Sequence, residues 1–259
     1  MKLFKWTWEW FKWLDSGKKG SRPVNAPKMI PKRVWVRYNL HKINRNKPHP
    51  LWSKPGMFVA WGLENKSLTP KELIEKLGKS GFKWIALQNT PENLKYALLI
   101  KSIASLWDIK VGIWEVPTTA SVAYQAILDF DADFYIANIE ENCDLNFPIE
   151  LNELFFEYKA IVTNFGGIST SELARPWINA GFVCLPEAYV NDNSQATPIN
   201  QSFEAWRLGW RNIYPVLGVY HDFPVKNYIP QLKKVMGYSI YLAEYMRFED
   251  YRDISDYNV

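Results

Sequence analysis

Eight short apolar runs recur between Met57 and Val259, most of them ending in polar or acidic residues and separated by stretches with helical spacing. In order they are Met57 to Glu64, Phe82 to Asn89, Lys110 to Pro117, Asp133 to Glu140, Lys159 to Phe165, Gly181 to Tyr189, Asn212 to His221 and Tyr238 to Tyr245. Each is rich in β-branched and aromatic residues, the composition of strands covered on both faces. The intervening stretches carry helix start signals. At Thr69-Pro70-Lys71-Glu72, Thr69 can cap, Pro70 suits the first helical position and Glu72 completes a capping box. Leu73, Ile74 and Leu77 then form an apolar stripe, and Gly81 marks the stop. Pro91 to Leu106, Asn200 to Leu208 and Tyr228 to Met236 supply further crossovers. Strand and helix alternating this way predict parallel strands, since only a long crossover returns the chain to the same edge. The pattern predicts an α/β fold, a (β/α)8 TIM barrel, over residues 57–259.

Residues 1–56 follow a different rule. They hold fourteen Lys and Arg against Glu9 and Asp15, whereas the remaining residues hold seventeen basic and twenty-five acidic side chains, so the overall +4 is a sum of opposites. Six of the thirteen Trp (6, 8, 10, 13, 35 and 52) and six of the sixteen Pro also lie in this segment. No apolar periodicity continues past Leu14, so Ser16 to Pro55 reads as an extended basic arm without a core of its own. Within Met1 to Leu14, a helix would align Leu3, Trp6, Trp10 and Trp13, and a strand would align Phe4, Trp6, Trp8 and Trp10. Either arrangement concentrates aromatic surface. Such an arm suits docking onto a neighbouring protein subunit, lying at a membrane surface, binding nucleic acid, or packing on its own acidic barrel. Lys and Glu interrupt its apolar stretch, which argues against a secretory signal. No run of 18 apolar residues is present to suggest a spanning helix.

The barrel directs attention to its strand ends, because the carboxyl face is where this fold builds active sites. Those ends supply Glu64, Gln88, Asn89, Trp114, Glu115, Asn138, Glu140, Asn164, Glu187, Tyr189, Asn191, Tyr220 and Glu244. Amides and carboxylates suit sugar hydroxyls, and aromatic faces suit sugar rings. Two carboxylates converging from different strands are the constellation of glycoside hydrolysis, one protonating the leaving oxygen while the other attacks or activates water. The candidates are Glu140 as acid/base and Glu187 as its partner, with Glu244 in reserve. Gln88, Trp114, Asn138, Asn164, Tyr189, Asn191, Tyr220 and Glu64 are candidate substrate contacts. Each Glu can equally be a structural carboxylate at a strand end, and Trp114 can equally be core. His221 beside Asp222 would point to the opposite face of a strand, which disfavours a catalytic pair. With only three His a histidine-based metal site is not indicated, while a carboxylate-bound divalent ion stays open; Cys143 and Cys184 make no disulfide framework, no glycine-rich phosphate loop of Walker or dinucleotide type is present, and no cofactor is expected.

The segments Tyr135 to Asn142 (YIANIEEN), Val162 to Gly167 (VTNFGG), Leu185 to Pro198 (LPEAYVNDNSQATP) and Tyr214 to Val225 (YPVLGVYHDFPV) resemble glycoside-hydrolase-type barrel proteins encoded by tailed bacteriophages. More distantly, the chain is similar to the lysozyme-like barrels that cleave bacterial cell wall. The resemblance covers residues 57–253 and none of the arm. It implies that Glu140 matches the fourth-strand carboxylate. The lysozyme-like barrels carry Asp at the end of the first strand and Asp-x-Glu on the fourth. Here Glu64 or Asn65 and Asn138-Ile139-Glu140 stand in those places, which removes a charge from the constellation.

Three functions follow. One is a virion structural protein of a phage tail or baseplate, its arm docked to other virion proteins in an oligomeric assembly and its barrel facing bacterial surface polysaccharide with weak or absent catalysis. Another is an active glycosidase on cell-wall or capsular polysaccharide. The last is a barrel enzyme of the host cytoplasm or membrane surface acting on another polar substrate.

Overall fold

A computed structural model of the chain describes residues 48–60, 68–139, 144, 146–163, 168–189, 214–219, 225–232, 235, 237–241, 246 and 248–258. Within the compact unit Arg45–Val259, eight parallel strands close into a barrel in sequence order, each paired with the next and the last paired with the first. They are β1 (Gly56–Val59), β2 (Trp84–Gln88), β3 (Lys110–Glu115), β4 (Phe134–Asn138), β5 (Tyr158–Thr163), β6 (Val183–Ala188), β7 (Val216–Gly218) and β8 (Ser239–Tyr241). The described helices between and after them are α1 (Pro70–Lys79), α2 (Pro91–Ser105), α3 (Ala120–Asp129), α4 (Phe147–Leu154), α5 (Ile168–Asn179), α6 (Ile229–Leu232) and α7 (Phe248–Asn258). The chain therefore folds as a (β/α)8 barrel. The expected crossover at Asn200 to Leu208 lies outside the described residues.

Local signals start the helices where the sequence places them. Thr69 accepts a hydrogen bond from the Glu72 amide at 3.2 Å, and the Glu72 carboxylate accepts from the Thr69 amide at 2.8 Å, closing the capping box of α1. Thr90 and Thr119 cap α2 and α3 through the amides of Asn93 and Val122. After α1, Gly81 adopts φ +82, a conformation that glycine reaches without steric cost.

Two cores result from the period-two alternation of the strands. Outward residues such as Met57, Ile85, Val111, Tyr135, Ile161, Cys184 and Leu217 pack against the helices. Inward residues fill the barrel, and aromatic rings dominate there. The Trp84 indole leans on Gly56, where a Cβ would sit 1.8 Å from the ring, so no other residue fits without moving it.

The amino end of the barrel is closed by residues that precede β1. Leu51 and Trp52, which composition groups with the basic arm, are core residues of the barrel. Trp52 is fully buried, edge-on to Trp84 and to Phe134, each at a centroid distance of 5.1 Å. His49 holds this plug in place. Its Nδ1 accepts from the amides of Leu51 and Trp52, both at 3.2 Å, its own amide donates to the Tyr214 hydroxyl at 2.8 Å, and its ring meets Tyr158 edge-on at 5.0 Å. Burial lowers the His49 pKa to about 4, so the imidazole stays neutral and keeps its acceptor.

Candidate functional site at the carboxyl face

The register of the strands decides which end residues look into the barrel. Paired residues of a parallel sheet share a face. Gln88 pairs with Trp114, Trp114 with Ile136, Asn138 with Val162, Glu187 with Val216, and Gly218 with Tyr241. Ile136, Val162 and Val216 are interior core residues, so Gln88, Trp114, Asn138, Glu187 and Tyr241 all face inward at the carboxyl end. Tyr189, two residues beyond Glu187, lies on the same side and stacks on Tyr241 with centroids 5.5 Å apart and planes 21° apart. Gln88, Asn138, Glu187, Tyr189 and Tyr241 are each half-buried, the exposure of a site rim.

Trp114 lies beneath this rim. It is buried, its indole N–H donates to the Val59 carbonyl at 3.0 Å, and it meets Phe58 and Tyr241 edge-on at 6.0 and 5.9 Å. It forms the floor on which Tyr241 and then Tyr189 rest. An unbroken series of ring contacts thus runs from Trp52 at the amino end through Trp84, Phe58, Trp114 and Tyr241 to Tyr189 at the mouth.

Glu115 and Asn89 face the other way. The Glu115 carboxylate accepts from Asn89 Nδ2 at 2.6 Å and from the Tyr135 hydroxyl at 3.0 Å, and Tyr135 belongs to the outer core. This carboxylate braces the ends of β2, β3 and β4 from behind the mouth. Two more side chains fix the rim. Buried Asn93 of α2 donates through Nδ2 to the carbonyls of Ala60 and Gln88, at 3.2 and 2.9 Å, tying the end of β1 to that of β2. The Tyr228 hydroxyl reaches the carbonyls of Ala188 and Gly218 at 3.1 and 2.9 Å, tying β6 to β7 just past Glu187.

Five sequence candidates, Gln88, Trp114, Asn138, Glu187 and Tyr189, are therefore brought to one end of the barrel interior. Glu64, Glu140, Asn164, Asn191, Tyr220 and Glu244 lie outside the described residues. Sequence reasoning passed over Tyr241, because it carried the last strand on to Tyr245 and looked for the rim at Glu244. The signal was present: Ser239 and Tyr241 alternate with Tyr238 and Ile240, which places the tyrosine on the inward side. Asn93 and Tyr228 left no such signal, since their role depends on carbonyls of distant strands.

The arrangement suits a polar, ring-shaped ligand. Tyr189, backed by Tyr241, supplies a face for the less polar side of such a ring, and Gln88, Asn138 and Glu187 supply amide and carboxylate partners for hydroxyls. Among the described residues, no three His, Cys, Asp or Glu side chains group as metal ligands. The Cys184 thiol is buried on the outer side of β6, where desolvation raises its pKa well above the usual range, as fits a packing residue.

No family model matches the chain, and no curated protein matches it. Solved structures similar to it include a truncated 3-deoxy-D-arabino-heptulosonate 7-phosphate synthase from Thermotoga maritima, at 12% identity and TM-score 0.52, covering 78% of this chain and 85% of that one. The N-acetylneuraminic acid synthetase of Leptospira borgpetersenii is similar at 8% identity and TM-score 0.56, covering 81% of each chain. The 3-hexulose-6-phosphate synthase of Salmonella typhimurium is similar at 14% identity and TM-score 0.50, covering 79% of this chain and 97% of that one. At these identities the likeness is one of fold.

Proposed function

We propose that this barrel presents its carboxyl mouth to a bacterial surface polysaccharide, as a component of a phage tail or baseplate whose basic arm docks it to other virion proteins. The observation that carries the glycan reading is the stacked Tyr189–Tyr241 pair over Trp114, with Glu187 on the same inward side and Gln88 and Asn138 at neighbouring strand ends. The virion setting is supported by the resemblance of four segments to phage-encoded barrels and by a Trp-rich arm with fourteen basic residues.

Binding with weak or absent hydrolysis is the favoured form of this reading. Asn138 occupies the inward position at the end of β4 where the lysozyme-like barrels carry a carboxylate, and an amide cannot hold the negative charge that stabilises a developing oxocarbenium ion. An active glycosidase is the second reading, supported by the inward, half-buried Glu187 as one member of a carboxylate pair with Glu140.

Co-sedimentation with purified host cell walls and capsular polysaccharide, run beside a reducing-sugar assay, separates the two. Retention of the wild type, loss of about tenfold in affinity for Tyr189→Ala or Tyr241→Ala, and little sugar release are expected. Sugar release abolished by Glu187→Gln or Glu140→Gln would establish the glycosidase instead. A wild-type chain retained on no polysaccharide would remove the glycan reading altogether.

A further inference from the structure

The amino pole of the barrel, opposite the mouth, carries an apolar arc. In a (β/α)8 barrel every helix-to-strand turn lies at this pole. At three consecutive turns the chain exposes a large apolar side chain: Leu106 after α2 is 81% exposed, Leu128 in the last turn of α3 is 54%, and Leu154 at the end of α4 and Phe156 beyond it are 42% and 70%. The same turns bury Ile109, Phe130 and Phe155, so the core below them is already filled. Single exposed leucines are ordinary, but a set aligned along adjoining turns marks an interaction surface.

The charge around the arc is acidic. Lys83, Lys101 and Lys110 are engaged by Asp108, Asp131 and Asp133, while Asp129, Glu153 and Glu157 lie exposed among the leucines. Lys159 donates to the carbonyls of Phe155 and Glu157. Asp108 and Asp131 adopt φ +54 and +48, left-handed conformations that turn the chain tightly from helix to strand.

We infer that this arc receives the Trp- and Lys-rich segment Met1–Leu14 of a second copy of the chain. Three observations carry the choice of occupant. The surface is apolar and acidic, and Met1–Leu14 is apolar and basic, with Leu3, Trp6, Trp10 and Trp13 interspersed with Lys2, Lys5 and Lys12. The plug residues His49–Trp52 seat at the amino end of the barrel, the pole that bears the arc. The intervening residues 15–47 can span up to roughly 110 Å when extended, more than the ~45 Å across a domain of this size. Such an exchange of segment for patch is either reciprocated in a two-fold pair or passed from copy to copy in a ring or stack. The inference rests on the docking reading of the arm and is independent of what the mouth binds.

Sedimentation velocity of the full chain across a concentration series tests it. The wild type should self-associate, and Leu106→Ser with Phe156→Ser should weaken association by about tenfold or more, as should Trp6→Ala with Trp10→Ala and Trp13→Ala in the arm. A synthetic Met1–Leu14 peptide should compete. Leu98→Ser, at a 67% exposed leucine on the outer face of α2 away from the pole, should leave association unchanged. A monomeric wild type, an arm variant that associates normally, or Leu98→Ser matching the pole variants would each overturn the inference. The arm variants alter no described barrel residue, so they remain decisive if a pole variant folds poorly. Polysaccharide retention measured on the same proteins reports separately on the mouth.

Discussion

His49 shows how one side chain can fix a boundary. Its neutral imidazole accepts two amide hydrogen bonds that shape the turn carrying Trp52 into the barrel. Protonation would convert that acceptor into a donor facing two N–H groups, and burial already lowers the pKa to about 4. The sign follows from linkage: above the unfolded pKa near 6.5 both states are neutral, and stability is complete. As pH falls below that value the unfolded chain takes up the proton first, so stability declines until the folded pKa is passed. Urea unfolding measured between those two pH values should show this slope, and His49→Asn should flatten it. Trp52 supplies a second prediction. Trp52→Ala should cost about 3–5 kcal/mol, as truncation of a large aromatic in a closed core does. Trp52→Phe should cost much less, because the buried Trp52 Nε1 has no partner among the described residues and its loss leaves no broken hydrogen bond. Behind the mouth, Tyr135→Phe should cost about 1.5–3 kcal/mol, since the hydroxyl donates to the Glu115 carboxylate. Chemical denaturation of these three variants checks both predictions.

Helices α1 and α2 were legible in the sequence because their start signals are local: Thr69 and Thr90 each cap the amide three positions on, as Thr119 does for α3, which the sequence pattern did not single out. Thr69→Ala should destabilise by about 1 kcal/mol, measured by thermal or denaturant unfolding. The Glu72 pKa is lowered, first by the Thr69 amide and then by its hydroxyl, so its contribution is present above the ordinary carboxylate pKa and fades as pH falls through the folded value. The strands were legible in place and order because period-two alternation and apolar composition mark them. Their ends were less so. The apolar run Met57 to Glu64 extends past β1, which ends at Val59 and is followed by Ala60 outside the strand, while the end of the run Tyr238 to Tyr245 lies outside the described residues. Apolar character persists beyond the last residue paired to a neighbouring strand, so pattern alone does not tell where pairing stops. Trp52 was illegible for a different reason. It lies among His and Pro residues with no periodicity, and the rings it meets, Trp84 and Phe134, come from strands far along the chain.

At the scale of the whole molecule, the two poles carry different chemistry. The carboxyl pole gathers amide, carboxylate and stacked tyrosine side chains at the inward ends of the strands, and the amino pole is closed by the His49–Trp52 plug beside an apolar, acidic arc. Alternation along the strands was enough to place Gln88, Trp114, Asn138, Glu187 and Tyr189 on one side, because the fold converts period two directly into inside and outside. It did not tell rim from floor: Trp114 is buried by Phe58 and Tyr241, a consequence of ring size and of three strands converging. The proposed central role of the mouth is tested most directly by titrating host wall polysaccharide against the wild type and Tyr241→Ala, with tryptophan fluorescence and sedimentation as readouts. Saturable binding by the wild type, weakened about tenfold in the variant while its unfolding curve retains a single cooperative transition, is the expected result. Equal binding by both proteins, or none by either, would contradict it.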